Sequence, residues 1–202
     1  MSFVDLHVHS TASDGSMTPC ELLDHAEKLG LTALALTDHD TVAGLREFRE
    51  CGEASSVDVV PGVEVAVFYD SRELHILGFW VRDDCESFNA MLGEIRDNRD
   101  NRNALIIEKL CEKGYEICMD DVMAKAGAES VGRPHIASVL VEKGYFEDVK
   151  SVFATCLGRG GDGYVSRILP SPIEAIEGIH AAGGVAFWAH PSHRDKANNR
   201  SK

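Results

Sequence analysis

The stretch Asp5-Leu6-His7-Val8-His9 sets an acid and two imidazoles on alternate residues. In an extended strand alternate side chains share a face, so Asp5, His7 and His9 point one way while Leu6 and Val8 keep the other face apolar. Two imidazoles one strand-step apart can hold one divalent ion, and a nearby carboxylate can steady them from behind. Alone, such a pair is as often an incidental feature of a strand end as a metal site. The same chemistry returns in Thr37-Asp38-His39-Asp40, which closes the second predicted strand. Barrels and open α/β sheets collect their sites at that end of their strands. Pro61-Gly62-Val63-Glu64 then puts a carboxylate into an otherwise apolar strand, a costly burial that metal coordination would offset. His75, inside Leu74-His75-Ile76-Leu77-Gly78, and His190, directly after the apolar run 185–189, are lone imidazoles in apolar strands. Each of these is individually more often a satisfied core residue. Together, as strand-end groups on strands that carry little else polar, they point to a shared metal centre. Asp14, in Ser13-Asp14-Gly15, also reads as an ordinary turn former. His25 and His180 fall in predicted helices and His193 in the tail, so none of the three is counted as a ligand.

The elements that must position these residues alternate. A β-prone run over 3–6 leads into a polar loop, and Thr18-Pro19 opens a helix with a good N-cap and a proline in the first turn. Glu21 completes a capping-box pattern, Leu22, Leu23, Ala26 and Leu29 recur at helical spacing, and Gly30 fits the helix end. A strand over 32–37, a helix over 42–53, and strands over 57–68 and 74–81 follow, the last two joined by a polar turn at Asp70-Ser71-Arg72. This alternation predicts an α/β fold with a mostly parallel sheet or barrel. From residue 86 the character changes to one long helix, 88–112, and a small helical insertion with turns at Gly127, Gly132 and Gly144. A helix over 171–182 and a strand over 185–189 resume the alternation. The expected organisation is therefore 1–85 with 168–191 as the sheet portion, 86–167 as long helix plus insertion, and 192–202 as a disordered polar tail.

The chain has 202 residues and a formal net charge of -13, which argues against a duplex nucleic-acid partner. A small anionic substrate is compatible with that charge, because bound divalent ions invert the local field. No apolar run approaches the ~20 residues of a membrane span, and the N-terminus shows no secretory signal, so a cytoplasmic protein without membrane contact is expected. The six cysteines include no C-x-x-C pair and read as reduced thiols.

Asp-x-His-x-His-Ser at 5–10, Thr-Asp-His-Asp at 37–40, Pro-Gly-Val-Glu at 61–64, His75 and Ala-His-Pro at 189–191 together resemble the polymerase and histidinol phosphatase (PHP) domain family. Thr11-Ala12-Ser13-Asp14-Gly15 and Gly132-Arg133-Pro134-His135-Ile136-Ala137 resemble most its branch of 3′,5′-nucleotide bisphosphate phosphatases, whose close relatives also trim RNA 5′ ends. The resemblance implies a distorted (β/α)7 barrel with the helical insertion acting as a substrate cap. It implies up to three divalent metals, manganese first, with iron or zinc as alternatives. His7, His9 and Glu64 would hold the first ion, Glu64, His75 and His190 the second, and Asp14 with His39 the third. Carboxylates and neutral imidazoles suit those metals. The expected reaction converts a 3′,5′-nucleoside bisphosphate to the 5′-monophosphate, with a short RNA 5′ end as a second substrate. Arg96, Arg99 and Arg102 form a basic stripe on the long helix, although interleaved Asp97 and Asp100 leave a solvated face open as an alternative. The resemblance assigns Arg99 and Arg102 to the second phosphate, where bidentate pairing favours arginine. It adds Arg133 and His135 to the same pocket. Asp40 and His135 are the expected catalytic pair, Asp40 contacting the nucleoside or positioning the leaving group, while a purely structural place for His135 at a helix N-terminus stays open.

One part of the family's pattern has no counterpart: a final Asp-x-His after His190, which would supply further ligands. Relative to that pattern the chain looks C-terminally truncated, and incomplete metal sites with weak activity are expected. The rival readings are a histidinol-phosphate-type phosphatase and a non-catalytic remnant serving as an interaction module.

Overall fold

Thr18 starts the first helix as its sequence signals require: its side chain accepts from the Glu21 N–H, the Glu21 carboxylate accepts from the Thr18 N–H, and Gly30 ends the helix in the left-handed conformation. The computed structural model describes residues 3–126 and 131–191. Its elements run β1 (Phe3–Val8), α1 (Pro19–Leu29), β2 (Leu31–Leu36), α2 (Leu45–Gly52), β3 (Asp58–Tyr69), β4 (Arg72–Phe79) and α3 (Glu86–Glu112). They continue with α4 (Met119–Ala126), α5 (Arg133–Glu142), α6 (Val149–Val152), a π-helical turn (Phe153–Leu157), α7 (Pro172–Ala181) and β5 (Val185–Trp188). The tail expected over 192–202 and the turn expected at Gly127 lie outside the described residues.

Two compact units make up the chain: residues up to Gly93 together with those from Leu169 onward, and Glu94–Ile168. In the first unit the strands stand in chain order, β1-β2-β3-β4-β5. β1 and β3 flank β2 in parallel through the α1 and α2 crossovers, whereas β3–β4 and β4–β5 are antiparallel. The mostly parallel sheet expected from the alternation is thus corrected to a mixed one. The reason is local. Asp70 and Ser71 both take positive φ (48° and 63°), the twist that two-residue hairpin turns need, so β4 folds straight back on β3. The described residues supply five strands.

The middle of β3 explains its apolar composition, because Val63, Glu64, Val65, Ala66 and Val67 are all buried. A strand covered on both faces has no solvent side on which to alternate. Leu23 and Ala26 of α1, Leu45 and Phe48 of α2 and Ile179 of α7 are likewise buried. Ile179 packs so closely on β4 that a Cβ on Gly78 would stand 3.0 Å from its Cγ1. Phe3, Val4 and Leu6 of β1 and Val185, Phe187 and Trp188 of β5 are exposed, so both outer strands carry large apolar side chains in contact with solvent.

The second unit has its own core, built from Ile106 and Leu110 of α3, Ile136 and Leu140 of α5, Val152 and Leu157. No described helix is long and apolar enough to cross a membrane.

The cysteine expectation is also corrected. Cys20 and Cys51 form a disulfide with Cα atoms 5.6 Å apart, tying α1 to α2, while Cys85, Cys111, Cys118 and Cys156 are thiols. Two helices that pack side by side bring these residues together from 31 positions apart, a tertiary fact invisible in spacing.

Candidate metal centre

Each strand delivers its polar residue to one point. His7 lies near the end of β1 and His9 just beyond it, His39 follows β2, Glu64 sits midway along β3, His75 lies in β4 and His190 follows β5. A parallel bridge between His39 and Glu64 extends the β2–β3 pairing past the end of β2 and brings this histidine alongside the carboxylate. Glu64 Oε2 lies 2.9 Å from His7 Nε2, 3.3 Å from His9 Nε2 and 3.3 Å from His39 Nδ1. Its Oε1 lies 2.8 Å from His75 Nδ1 and 2.9 Å from His190 Nε2. On the far side, Asp14 stands 3.5 Å from His9 Nδ1 and 3.8 Å from His39 Nε2. The rings pack against one another, with His9 and His39 stacked at 4.5 Å between centroids and His7 and His190 stacked at 5.8 Å.

Such crowding is informative. Glu64 is 1% exposed, and a carboxylate has about four lone-pair positions, fewer than the imidazole nitrogens gathered round it. His9 Nδ1 is buried without a hydrogen-bond partner. Surplus nitrogen donors around a shared carboxylate, with a second carboxylate behind, are a donor set that would suit divalent cations. Three overlapping groups each bring their ligand atoms within 4.8 Å of one another: His7/His9/Glu64, His9/Asp14/His39 and His39/Glu64/His75. The residues fit the group.

The electrostatics agree in sign. Burial alone would raise the Glu64 pKa, but hydrogen bonds from His7, His75 and His9 and the charge of His39 hold it far below the usual carboxylate range. Burial disfavours the His75 imidazolium, yet Glu64 and Glu73 more than compensate and push its pKa up to about 9. His9 is also raised, burial being outweighed by Glu64, Asp14 and Asp38. His39 is lowered, mainly by burial and further by neighbouring His9 and His75, against the pull of Glu64 and Asp14.

All seven residues expected as ligands, His7, His9, Asp14, His39, Glu64, His75 and His190, therefore converge. The other expected site residues divide between the two units. Asp40 is wholly buried with φ 53°, its Oδ1 accepting from the Ala66 N–H at 2.8 Å and its own N–H donating to the Glu64 carbonyl at 2.9 Å. It clamps the backbone of β3 on both sides of Val65, directly after Glu64. Arg99, Arg102, Arg133 and His135 belong to the Glu94–Ile168 unit. There Arg102 is buried and donates to Asn103 Oδ1 at 2.9 Å. Arg133 lies over the Phe153 ring at 5.9 Å, and His135 Nδ1 accepts from the Gly132 N–H at the start of α5. Asp5, expected to back the histidines, accepts the His7 N–H at 3.2 Å instead.

Two acids near the centre were not singled out in the sequence. Glu73 Oε1 stands 3.7 Å from His75 Nε2, and Asp38 is buried against Ser10 and Ser13. Glu73 could have been found by strand period, since it shares a face of β4 with His75.

Residues 5–169 match the PHP domain model. The chain belongs to the PHP domain family. It is 37% identical over 187 residues to a 5′-3′ exoribonuclease from Haemophilus influenzae, covering 93% of this chain and 68% of that protein. It is 36% identical over 196 residues to a 3′,5′-nucleoside bisphosphate phosphatase from Chromobacterium violaceum, covering 96% and 69%. Among solved structures, a candidate metal-dependent phosphoesterase from Bifidobacterium adolescentis superposes with a TM-score of 0.79 at 33% identity, covering 94% of this chain and 67% of that one. This PHP chain thus spans about two thirds of the length of the relatives it matches.

Proposed function

We propose that this PHP chain is a metal-dependent phosphoesterase that removes the 3′-phosphate of a 3′,5′-nucleoside bisphosphate. The observation that carries the reading is the gathering of five imidazoles on the buried Glu64 carboxylate, with Asp14 beside two of them. The Chromobacterium relative, named for that reaction, supports the choice of substrate. His7, His9 and Glu64 are the proposed holders of one ion, Glu64, His75 and His190 of a second, and Asp14 with His39 of a third. Manganese is the proposed metal, in keeping with carboxylate and imidazole donors and no thiolate. Divalent cations held there supply Lewis acidity and a water made acidic enough to react near neutral pH.

The protein's own contribution is to fix that donor set. Glu64, held ionised by its histidines, anchors it. Asp40 acts through the β3 backbone, holding Glu64 in register. Arg99 and Arg102, with Arg133 and His135, are the proposed binders of the second phosphate, a role carried by the family resemblance alone. The sheet is proposed as part of a (β/α)7 barrel wall. A 5′-phosphorylated RNA end is a second proposed substrate, favoured by the Haemophilus relative's name.

Phosphate release from adenosine 3′,5′-bisphosphate with added Mn²⁺ tests the reading, run beside His9→Ala and a 5′-phosphorylated oligoribonucleotide. Release by the wild type but not by His9→Ala is expected. Equal release by both, or none from any phosphoester, would overturn it.

A further inference from the structure

We propose that Asp38 is a positioning residue for the metal centre, fixing the loop that carries His9 and Asp14 so that both face His39; this rests on reading the cluster as a metal site. Asp38 lies between Thr37 and His39 at the end of β2 and is 2% exposed. Its Oδ1 accepts from the Ser10 N–H at 2.7 Å and the Ser13 hydroxyl at 2.6 Å, and its Oδ2 accepts from the Ser10 hydroxyl at 2.7 Å. Ser10 and Ser13 are themselves 0% and 3% exposed. Three short hydrogen bonds from buried groups, spanning 25 to 28 residues of sequence, make a specific tether. Bonds to a charged acceptor are also stronger than neutral ones.

What the tether holds is the segment between two ligands. Ser10 directly follows His9 and Ser13 directly precedes Asp14. Within the segment the Ser10 carbonyl accepts from the N–H groups of Ser13 and Gly15, at 3.0 and 2.9 Å, and the Ser10 hydroxyl accepts from the Ala12 N–H at 3.1 Å. The turn is tight enough that a Cβ on Gly15 would overlap the His9 carbonyl. Asp38 reaches the third ligand-bearing strand as well, since its carbonyl accepts the Glu64 N–H at 3.1 Å. One residue therefore joins the segments that present His9 and Asp14, His39, and Glu64. Both of its side-chain oxygens are engaged by donors from Ser10 and Ser13, and Asp38 belongs to none of the three groups of potential ligands.

Asp14 is the exposed member of its ligand group, and the Ser13 hydroxyl that donates to Asp38 also lies 3.3 Å from its Oδ1, so the loop geometry sets how it faces His9 and His39. Loosening the loop should weaken the His9/Asp14/His39 group first and leave the groups around His75 and His190 in place. Asparagine at position 38 can keep the tether: its oxygen accepts from the Ser10 N–H and the Ser13 hydroxyl, and its amide donates to the Ser10 hydroxyl. Alanine cannot.

The test is metal stoichiometry and affinity, measured as Mn²⁺ per chain by plasma mass spectrometry after dialysis, with Co²⁺ absorption reporting ligand geometry. Asp38→Ala should hold one ion fewer than the wild type, or hold it at least about tenfold more weakly. Asp38→Asn should regain the wild-type number and the Co²⁺ spectrum. Ser13→Ala, which removes the bond to Asp38 and the longer one, 3.3 Å, to Asp14 Oδ1, should weaken one ion about three- to tenfold while folding normally, and it decides the matter if Asp38→Ala fails to fold. Unchanged stoichiometry and affinity in Ser13→Ala and in a folded Asp38→Ala would overturn the proposal. So would parallel loss of every ion in both, or failure of Asp38→Asn to restore what Asp38→Ala loses. A wild-type chain that takes up no Mn²⁺ or Co²⁺ at all would instead overturn the metal reading, and this inference with it.

Discussion

In the sheet unit the most deeply buried acid of the centre, Glu64, is ringed by five imidazoles gathered from four strands' ends and interiors, and His9 Nδ1 is left without a hydrogen bond. In the Glu94–Ile168 unit Arg102 donates to Asn103 Oδ1, and Asn103 donates to the carbonyl of Val131, 28 residues away. The contrast is between a buried acid crowded by imidazoles and a buried arginine that meets a side-chain amide. A cation site is overfilled with donors and incomplete until the cation arrives.

Substitution should expose this difference. Glu64→Gln removes the one carboxylate that all five histidines share, so metal retention and turnover should both fall, turnover by at least about 100-fold. Metal analysis alongside the phosphate-release assay checks it, and near-normal metal content in the variant would erase the distinction. Arg102→Ala removes none of the seven proposed metal ligands. It should lower stability by about 1–3 kcal/mol through the groups it leaves unpaired, read as a reduced urea midpoint, with the metal content of each folded chain unchanged. Should Arg102→Ala strip metal while leaving stability intact, the comparison would be inverted.

The disulfide gives a further effect within the sheet unit. Closing a loop of 31 residues stabilises by about 3–4 kcal/mol on chain-entropy grounds. Cys51→Ser should lower the urea midpoint of unfolding accordingly, and an unchanged midpoint under oxidising conditions would show that the bridge contributes nothing.

A smaller effect, but one specific to the centre, is its response to pH. The His75 pKa is raised to about 9 in the metal-free protein, above its unfolded value near 6.5. A raised histidine contributes stability that is fully present below the unfolded value and is lost as pH climbs through the folded one. Metal-free protein should therefore lose stability between about pH 6.5 and 9, and His75→Ala should flatten that slope. Because imidazole binds metal only when neutral, Mn²⁺ added at pH 8 should release protons. His75→Ala should release fewer, as measured by titration calorimetry in buffers of different ionisation enthalpy.

The same contrast explains what the sequence revealed. Glu64 stands out because a carboxylate buried in Pro-Gly-Val-Glu-Val-Ala-Val is costly unless its charge is compensated. His7 and His9 stood out through strand alternation, and the helix over Pro19–Leu29 through its cap, proline and terminal glycine. The mixed sheet was less legible, since βα alternation is the same signal whether β4 runs parallel or folds back, and only the left-handed pair Asp70-Ser71 decides it. Asp38 and Asp40 both sit in a motif that invites a chemical role, yet their carboxylates are engaged with residues 25 to 28 positions away. Long-range hydrogen bonds of that kind leave no periodicity to read. Cys20 and Cys51 were hidden for the same reason.

The most direct test of the central claim is a crystal structure of the chain grown with Mn²⁺, with anomalous diffraction recorded at the manganese edge. The account predicts anomalous peaks within coordination distance of Glu64, flanked by nitrogens of His7, His9, His39, His75 and His190. Peaks only at other acidic residues, with Glu64 still hydrogen-bonded to its histidines alone, would contradict it.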